Sequence, residues 1–134
     1  MIKISVCDDD EGQLTFFKQC FMEYNEKHKE KIEANFYQSV QSLLNEKKFS
    51  PDVYFLDIEL QDGNGLKLAG KIRTRNSKIP IVFITSHEEF MPEAFHVHAY
   101  QYLNEKKNAQ AVENVLNQLA DYFSEQNQIF SFQT

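Results

Sequence analysis

Asp8, Asp9 and Asp10 follow directly on the apolar run IKISVC, and Glu11 comes next. Two carboxylates about 4 Å apart repel by roughly 4 kcal/mol at an effective dielectric near 20, so such a cluster requires a cation, a capping role or open water. Asp10 with Gln13 three residues later fits a capping box at the start of a helix. That accounts for one aspartate and leaves Asp8 and Asp9. Two further polar groups sit at comparable places: Asp57 after the apolar run VYFL, and Thr85 at the end of IVFIT.

The elements that would position these side chains are legible from periodicity. Ile2–Cys7 is short and β-branched, as a strand is. Leu14, Phe17, Phe21 and Tyr24 recur at spacings of 3, 4 and 3, one face of a helix. Residues 32–37 (IEANFY) alternate like a half-exposed strand, and residues 39–47 read as a short helix carrying Val40, Leu43 and Leu44. The run VYFLDIEL, residues 53–60, begins with four apolar residues, as a strand buried on both faces does. QDGNG is turn chemistry, and Leu66, Ala69 and Ile72 mark the helix after it. A second buried strand follows Pro80. Then come a short helix near Phe90–His96, a strand near Tyr100–Leu103, and a long helix with Val112, Val115, Leu116, Leu119 and Phe123.

Five strands alternating with five helices predict an α/β fold with one parallel sheet covered on both faces. In such sheets a ligand binds beyond the carboxyl ends of the strands, where strand order reverses. Asp8, Asp9, Asp57 and Thr85 all fall at predicted strand ends and are expected to meet on that rim.

With 134 residues, 42% hydrophobic content and 12 Phe, the chain can bury one core, which points to a single domain. No long apolar run or basic leader is present, so neither a membrane span nor a secretory signal is expected, and a cytoplasmic location is. Cys7 and Cys20 form no CxxC and read as small buried apolar residues. A net charge of -6 argues against nucleic-acid binding by this part of the chain. The basic set Lys67, Lys71, Arg73, Arg75 and Lys78 reads as a solvated helix face.

Taken together, the acidic doublet in VCDDD, the block DVYFLDIELQDGNGL, IVFITSH, and AYQYL before the last helix resemble the receiver domain of two-component response regulators, from Met1 to about Phe123. The resemblance implies a flavodoxin-like fold, a doubly wound (βα)5 sheet with strand order 2-1-3-4-5. It implies that Asp57 accepts a phosphoryl group from a sensor histidine kinase. It further implies that Asp9 binds Mg²⁺ directly, Asp8 through water, and Glu59 through its backbone carbonyl, with Asp57 completing the set. Hard oxygen ligands of this kind are what Mg²⁺ takes. By the same resemblance, Thr85 donates its hydroxyl to the phosphoryl group and Tyr102 is the switch aromatic that turns inward when the threonine moves. Local hydrogen bonding is a second reason for hydroxyls here, since Ser86 with Glu89 forms an S-x-x-E box.

One position departs from the family pattern. Three residues after the aromatic, where a lysine followed by proline is expected, this chain has Glu105 and Lys106. Three readings compete: a bulge that turns Lys106 or Lys107 into the site, a Glu105 that faces solvent, or a degenerate receiver serving as a phosphorylation-independent interaction module. The first is preferred, which makes Lys106 the charge-balancing candidate.

Other motifs fail on spacing. An aspartate-nucleophile phosphatase would need Asp at 59 and Thr at 61, where Glu and Gln stand; an EF-hand loop from Asp62 lacks its oxygen ligand and glycine at Leu66 and Lys67; and Leu68 breaks a dinucleotide fingerprint. His96 and His98, two apart, are not a helix-face metal pair. The receiver is expected over residues 1–124. Residues 125–134, ending QIFSFQT, read as a linker alternating into the first strand of a C-terminal DNA-binding domain, and the SHEEFMPEAFHVHAYQYL block is similar to receivers that precede LytTR-type domains. The sequence leaves open whether two chains pair through the face of helix 4, strand 5 and helix 5; DNA is expected to be contacted only through that further domain, and no membrane contact is expected.

Overall fold

A computed structural model describes residues 1–85, 87–103 and 108–133, with side chains through 126. Five strands, β1 (Ile2–Cys7), β2 (Ile32–Tyr37), β3 (Val53–Asp57), β4 (Ile81–Ile84) and β5 (Gln101–Leu103), pair in parallel in the order β2-β1-β3-β4-β5. The order reverses between β1 and its neighbours β2 and β3, as the doubly wound reading requires. Five helices alternate with the strands: α1 (Glu11–Lys27), α2 (Val40–Leu44), α3 (Gly65–Arg75), α4 (Met91–His96) and α5 (Ala109–Gln133).

Alternation along the strands builds two cores. Ile2, Ile4, Val6, Phe55, Val82 and Ile84 face one way, against Leu14, Phe17 and Phe21 of α1 and Val112, Val115 and Leu119 of α5. Cys7, Leu56, Ile81 and Phe83 face the other way, against Leu66, Leu68, Ala69 and Ile72 of α3, with Leu43 of α2 and Ala94 of α4. Both faces of β3 and β4 are thus covered, which is why their sequences are continuous apolar runs. Phe17 and Phe21 each meet Phe55 edge to face, with centroids 5.8 Å apart.

Several local expectations are corrected. Asp10 does cap α1, but by accepting from Gly12 N at 2.9 Å. Its own N–H goes to Asp8 Oδ1 at 2.9 Å. Gln13, 1% exposed and with no hydrogen-bond partner for either amide atom among the described residues, closes no capping box. β3 ends at Asp57, the strand end expected from the sequence, and the rest of VYFLDIEL does not continue it. Glu59–Leu60 instead pairs antiparallel with Gly63–Asn64 in a small hairpin. α2 stops at Leu44, because Asn45 caps it and Glu46 turns back onto the Lys48 N–H. The last helix is longer than expected: no glycine or proline interrupts 109–133, the polar residues 124–128 are mostly competent helix formers, and α5 runs through the stretch read as linker and strand.

Candidate functional site

Parallel pairing of β1 with β3 and of β3 with β4 sets Cys7 beside Leu56 and Asp57 beside Ile84. The residues that follow β1 and β4 therefore share a rim with Asp57. Asp8 is fully buried; its N–H donates to Tyr37 O at 3.0 Å, so the β1–β2 ladder continues one residue past the strand and fixes the carboxylate. Asp57 is 3% exposed. Asp9, half-buried, accepts from Gln61 N at 3.1 Å through Oδ2, which joins it to the hairpin after β3. Carboxylate oxygens of Asp8, Asp9 and Asp57 all lie within 4.8 Å of one another.

At that spacing each ionised pair repels by about 3 kcal/mol or more at an effective dielectric near 20. Two of the three groups are removed from water, which raises the cost further. The field is felt next door: burial, then Asp62, Asp8, Asp57 and Asp9, push the Cys7 thiol up to about 12, so it stays a protonated, inert thiol. An all-oxygen donor set, partly buried and backed by backbone hydrogen bonds, fits a hard divalent cation such as Mg²⁺.

Thr85 completes the rim. It is 1% exposed, its N–H donates to Leu103 O at 3.0 Å, and its Oγ1 accepts from His87 N at 3.2 Å. That local bond occupies an acceptor lone pair and leaves the hydroxyl proton available to a ligand. Asp57, Thr85, Asp9, Glu59, Gln61 and His87 line an open cavity of about 450 Å³. Glu59 begins the hairpin, and its side chain lies 3.4 Å from His87 Nε2, while His87 Nδ1 is 3.2 Å from Glu89. Tyr102 is half-buried, and its hydroxyl donates to His87 O at 2.5 Å. Burial first, then Glu89 and Glu88, raise its pKa. Glu105, Lys106 and Lys107 lie outside the described residues.

Four residues with structural weight at this site have other sequence readings or none. Gly65 reads only as part of a turn. A Cβ there would stand 2.1 Å from Asp57 O and 3.0 Å from Ile58 Cα, so only glycine lets α3 start directly against the acceptor strand. Asp62 accepts from Val40 N at 2.9 Å and Gln41 N at 3.1 Å, pinning α2 to the hairpin. These two N–H groups hold its carboxyl below the usual range. His87 lines the cavity beside Glu59. Arg73, read as part of a solvated face, is half-buried and donates to the carbonyls of Val97 at 2.8 Å, His98 at 2.9 Å and Ile79 at 2.5 Å, tying the turn after α4 to the start of β4.

Residues 4–117 match the family model described as response regulator receiver domain. Among relatives, the chain is 29% identical over 120 residues to an uncharacterized response regulatory protein of Yersinia pestis, covering 90% of this chain and 49% of that protein. It is 32% identical over 95 residues to the sensory transduction protein LytR of Staphylococcus haemolyticus, covering 71% of this chain and 36% of that one. The chain thus spans half or less of the length of these relatives. In fold it is similar to the response regulator TrrA of Thermotoga maritima, solved in complex with Mg²⁺ and BeF, with a TM-score of 0.73 at 22% identity over 89% of this chain and 99% of that one. A receiver domain protein of Methanospirillum hungatei gives a TM-score of 0.76 at 18% identity, over 96% and 98%.

Proposed function

The chain belongs to the response regulator receiver domain family, and on that premise we propose that Asp57 accepts a phosphoryl group from a phosphohistidine of a partner histidine kinase. The observation that carries the reading is the convergence of Asp8, Asp9 and Asp57 within 4.8 Å on the rim that also holds Thr85. In the transfer, an Asp57 oxygen forms the new P–O bond as the P–N bond breaks, the electron pair going to the imidazole. Burial strips Asp57 of much of its hydration, and the backbone around Gly65 holds it in place for in-line approach. Thr85 donates its hydroxyl proton to a phosphoryl oxygen while Oγ1 stays oriented by the His87 N–H.

Mg²⁺ is the proposed cofactor, held by Asp8, Asp9, Asp57 and the Glu59 carbonyl. When bound it neutralises charge on the transferring group, as phosphoryl transfer requires. Lys106 is proposed as a further charge partner. Tyr102 is the proposed switch residue: motion of Thr85 draws on the same segment, His87, that holds the tyrosine hydroxyl. Among the described residues no helix is long and apolar enough to cross a membrane. A cytoplasmic location, dimerisation through α4, β5 and α5, and transcriptional control through a separate DNA-binding domain after α5 complete the proposal. The name of a longer relative from Staphylococcus aureus, transcriptional regulatory protein LytR, supports that last part.

The test is intact-mass analysis after incubation with a small-molecule phosphodonor and Mg²⁺. Wild type is expected to gain one phosphoryl mass and Asp57→Asn none. An unmodified wild type would leave the phosphorylation-independent interaction module as the better reading.

A further inference from the structure

On the opposite rim, where β3 and β4 begin, an open cavity of about 630 Å³ lies between α2 and α3. Its volume falls within the range of small-molecule sites, roughly 300–1,000 Å³. Leu43, Leu44, Phe49, Tyr54, Ile72 and Ile79 give it an apolar wall, opened by the early end of α2. Lys47, Lys71 and Arg75 stand around it, all exposed and none in an ion pair among the described residues. Among the described residues, Glu46 is the one acid lining it. Its carboxylate is already engaged by Tyr37 Oη at 3.3 Å and Lys48 N at 3.0 Å.

Three uncompensated cations over an apolar wall run against the character of a chain whose net charge is -6. Such a site selects an occupant with a hydrophobic body and a negative head, since the body displaces water from the wall and the head meets the lysines and the arginine. Arg75 is close enough to act on Tyr54, opposing the rise that burial and Tyr37 impose on its phenol, so the cation and the wall belong to one site. We propose that the cavity between α2 and α3 binds an amphipathic organic anion, a carboxylate or sulfonate on an apolar body.

The occupant would not be isolated from the acidic rim. α2 has only five residues: Leu43 and Leu44 line this cavity, and its first two N–H groups are held by Asp62 in the hairpin after Asp57. A ligand that shifts α2 therefore pulls on the segment that also hydrogen-bonds Asp9 through Gln61.

The test uses decanoate below its micellar concentration, with decyltrimethylammonium as the cation of matching tail, followed by backbone amide NMR. Decanoate is expected to shift Leu43, Leu44, Ile72 and Ile79 saturably, with a smaller response at Asp62, and the cation to bind much more weakly. Lys71→Gln with Arg75→Gln is expected to weaken decanoate about fivefold to tenfold while amide dispersion is retained. Phe95→Ser, at the separate apolar groove beside α4, is expected to leave binding unchanged. No saturable shift, equal binding of the cation, shifts centred on Met91–Tyr102, or unchanged affinity in the double variant would each overturn the proposal.

Discussion

The two sides of the acidic rim are built to different standards. On the β1–β3 side, Asp8 and Asp57 are almost wholly buried, every residue of β3 except Tyr54 is buried, and Gly65 sits against the Asp57 carbonyl with no room for a methyl group. On the α4–β5 side, β5 is three half-buried residues, α4 is six residues preceded by a single 3-10 turn, and the Tyr102 hydroxyl is held by the His87 carbonyl. A region with few buried contacts opens at low cost, whereas the acid side opens only with the core. The contrast places a rigid acceptor beside a segment free to respond to it, which is what a two-state switch needs.

The sharpest way to break that contrast is to loosen the rigid side. Gly65→Ala must displace the backbone at Asp57 and Ile58, and overpacking of this kind costs about 1–3 kcal/mol or more. Chemical denaturation is expected to show that loss, with Mg²⁺ affinity falling alongside it. Arg73→Gln attacks the other side at its one strong anchor. Losing charge-assisted bonds to Val97, His98 and Ile79 is expected to cost about 2 kcal/mol and to raise amide exchange selectively around α4, leaving β1 and β3 protected.

Tyr102→Phe is a smaller change. It removes the bond to the His87 carbonyl, worth about 0.5–1.5 kcal/mol, and is expected to mobilise residues 87–90 in NMR relaxation without altering Mg²⁺ binding. The mildest perturbation is acid. The Asp62 carboxyl titrates lower in the folded chain than in the unfolded one, because Val40 and Gln41 donate to it. Its contribution is therefore complete above the unfolded value near 3.9 and is lost as pH falls through the lower folded value. The Val40 and Gln41 amide resonances are expected to move in that window, below about pH 4, before the sheet unfolds.

Strand alternation and helix faces carried most of the fold into view, since Val53 to Leu56 or Leu14, Phe17 and Phe21 advertise their burial by period alone. The acids and Thr85 were equally visible, because each follows an apolar run and the parallel topology sends such ends to one rim. Gly65 was not, because a missing Cβ leaves the same mark in sequence whether it serves a turn or a close approach. Arg73 looked like its solvated neighbours Lys71 and Arg75, and nothing local announces that its guanidinium reaches carbonyls more than twenty residues away. The hairpin after Asp57 was hidden for a related reason: Ile58 and Leu60 extend an apolar pattern past the point where the chain turns.

The claim on which the account rests is that Asp8, Asp9 and Asp57 share one divalent ion. Titrating Mg²⁺ into the wild-type chain and following backbone amide resonances tests it most directly. The account predicts saturable one-site binding, with the largest shifts at residues 8–10, 57–61 and 85, weakened at least tenfold or so in Asp9→Asn. Absence of saturable shifts at those residues, or equal affinity in Asp9→Asn, would contradict it.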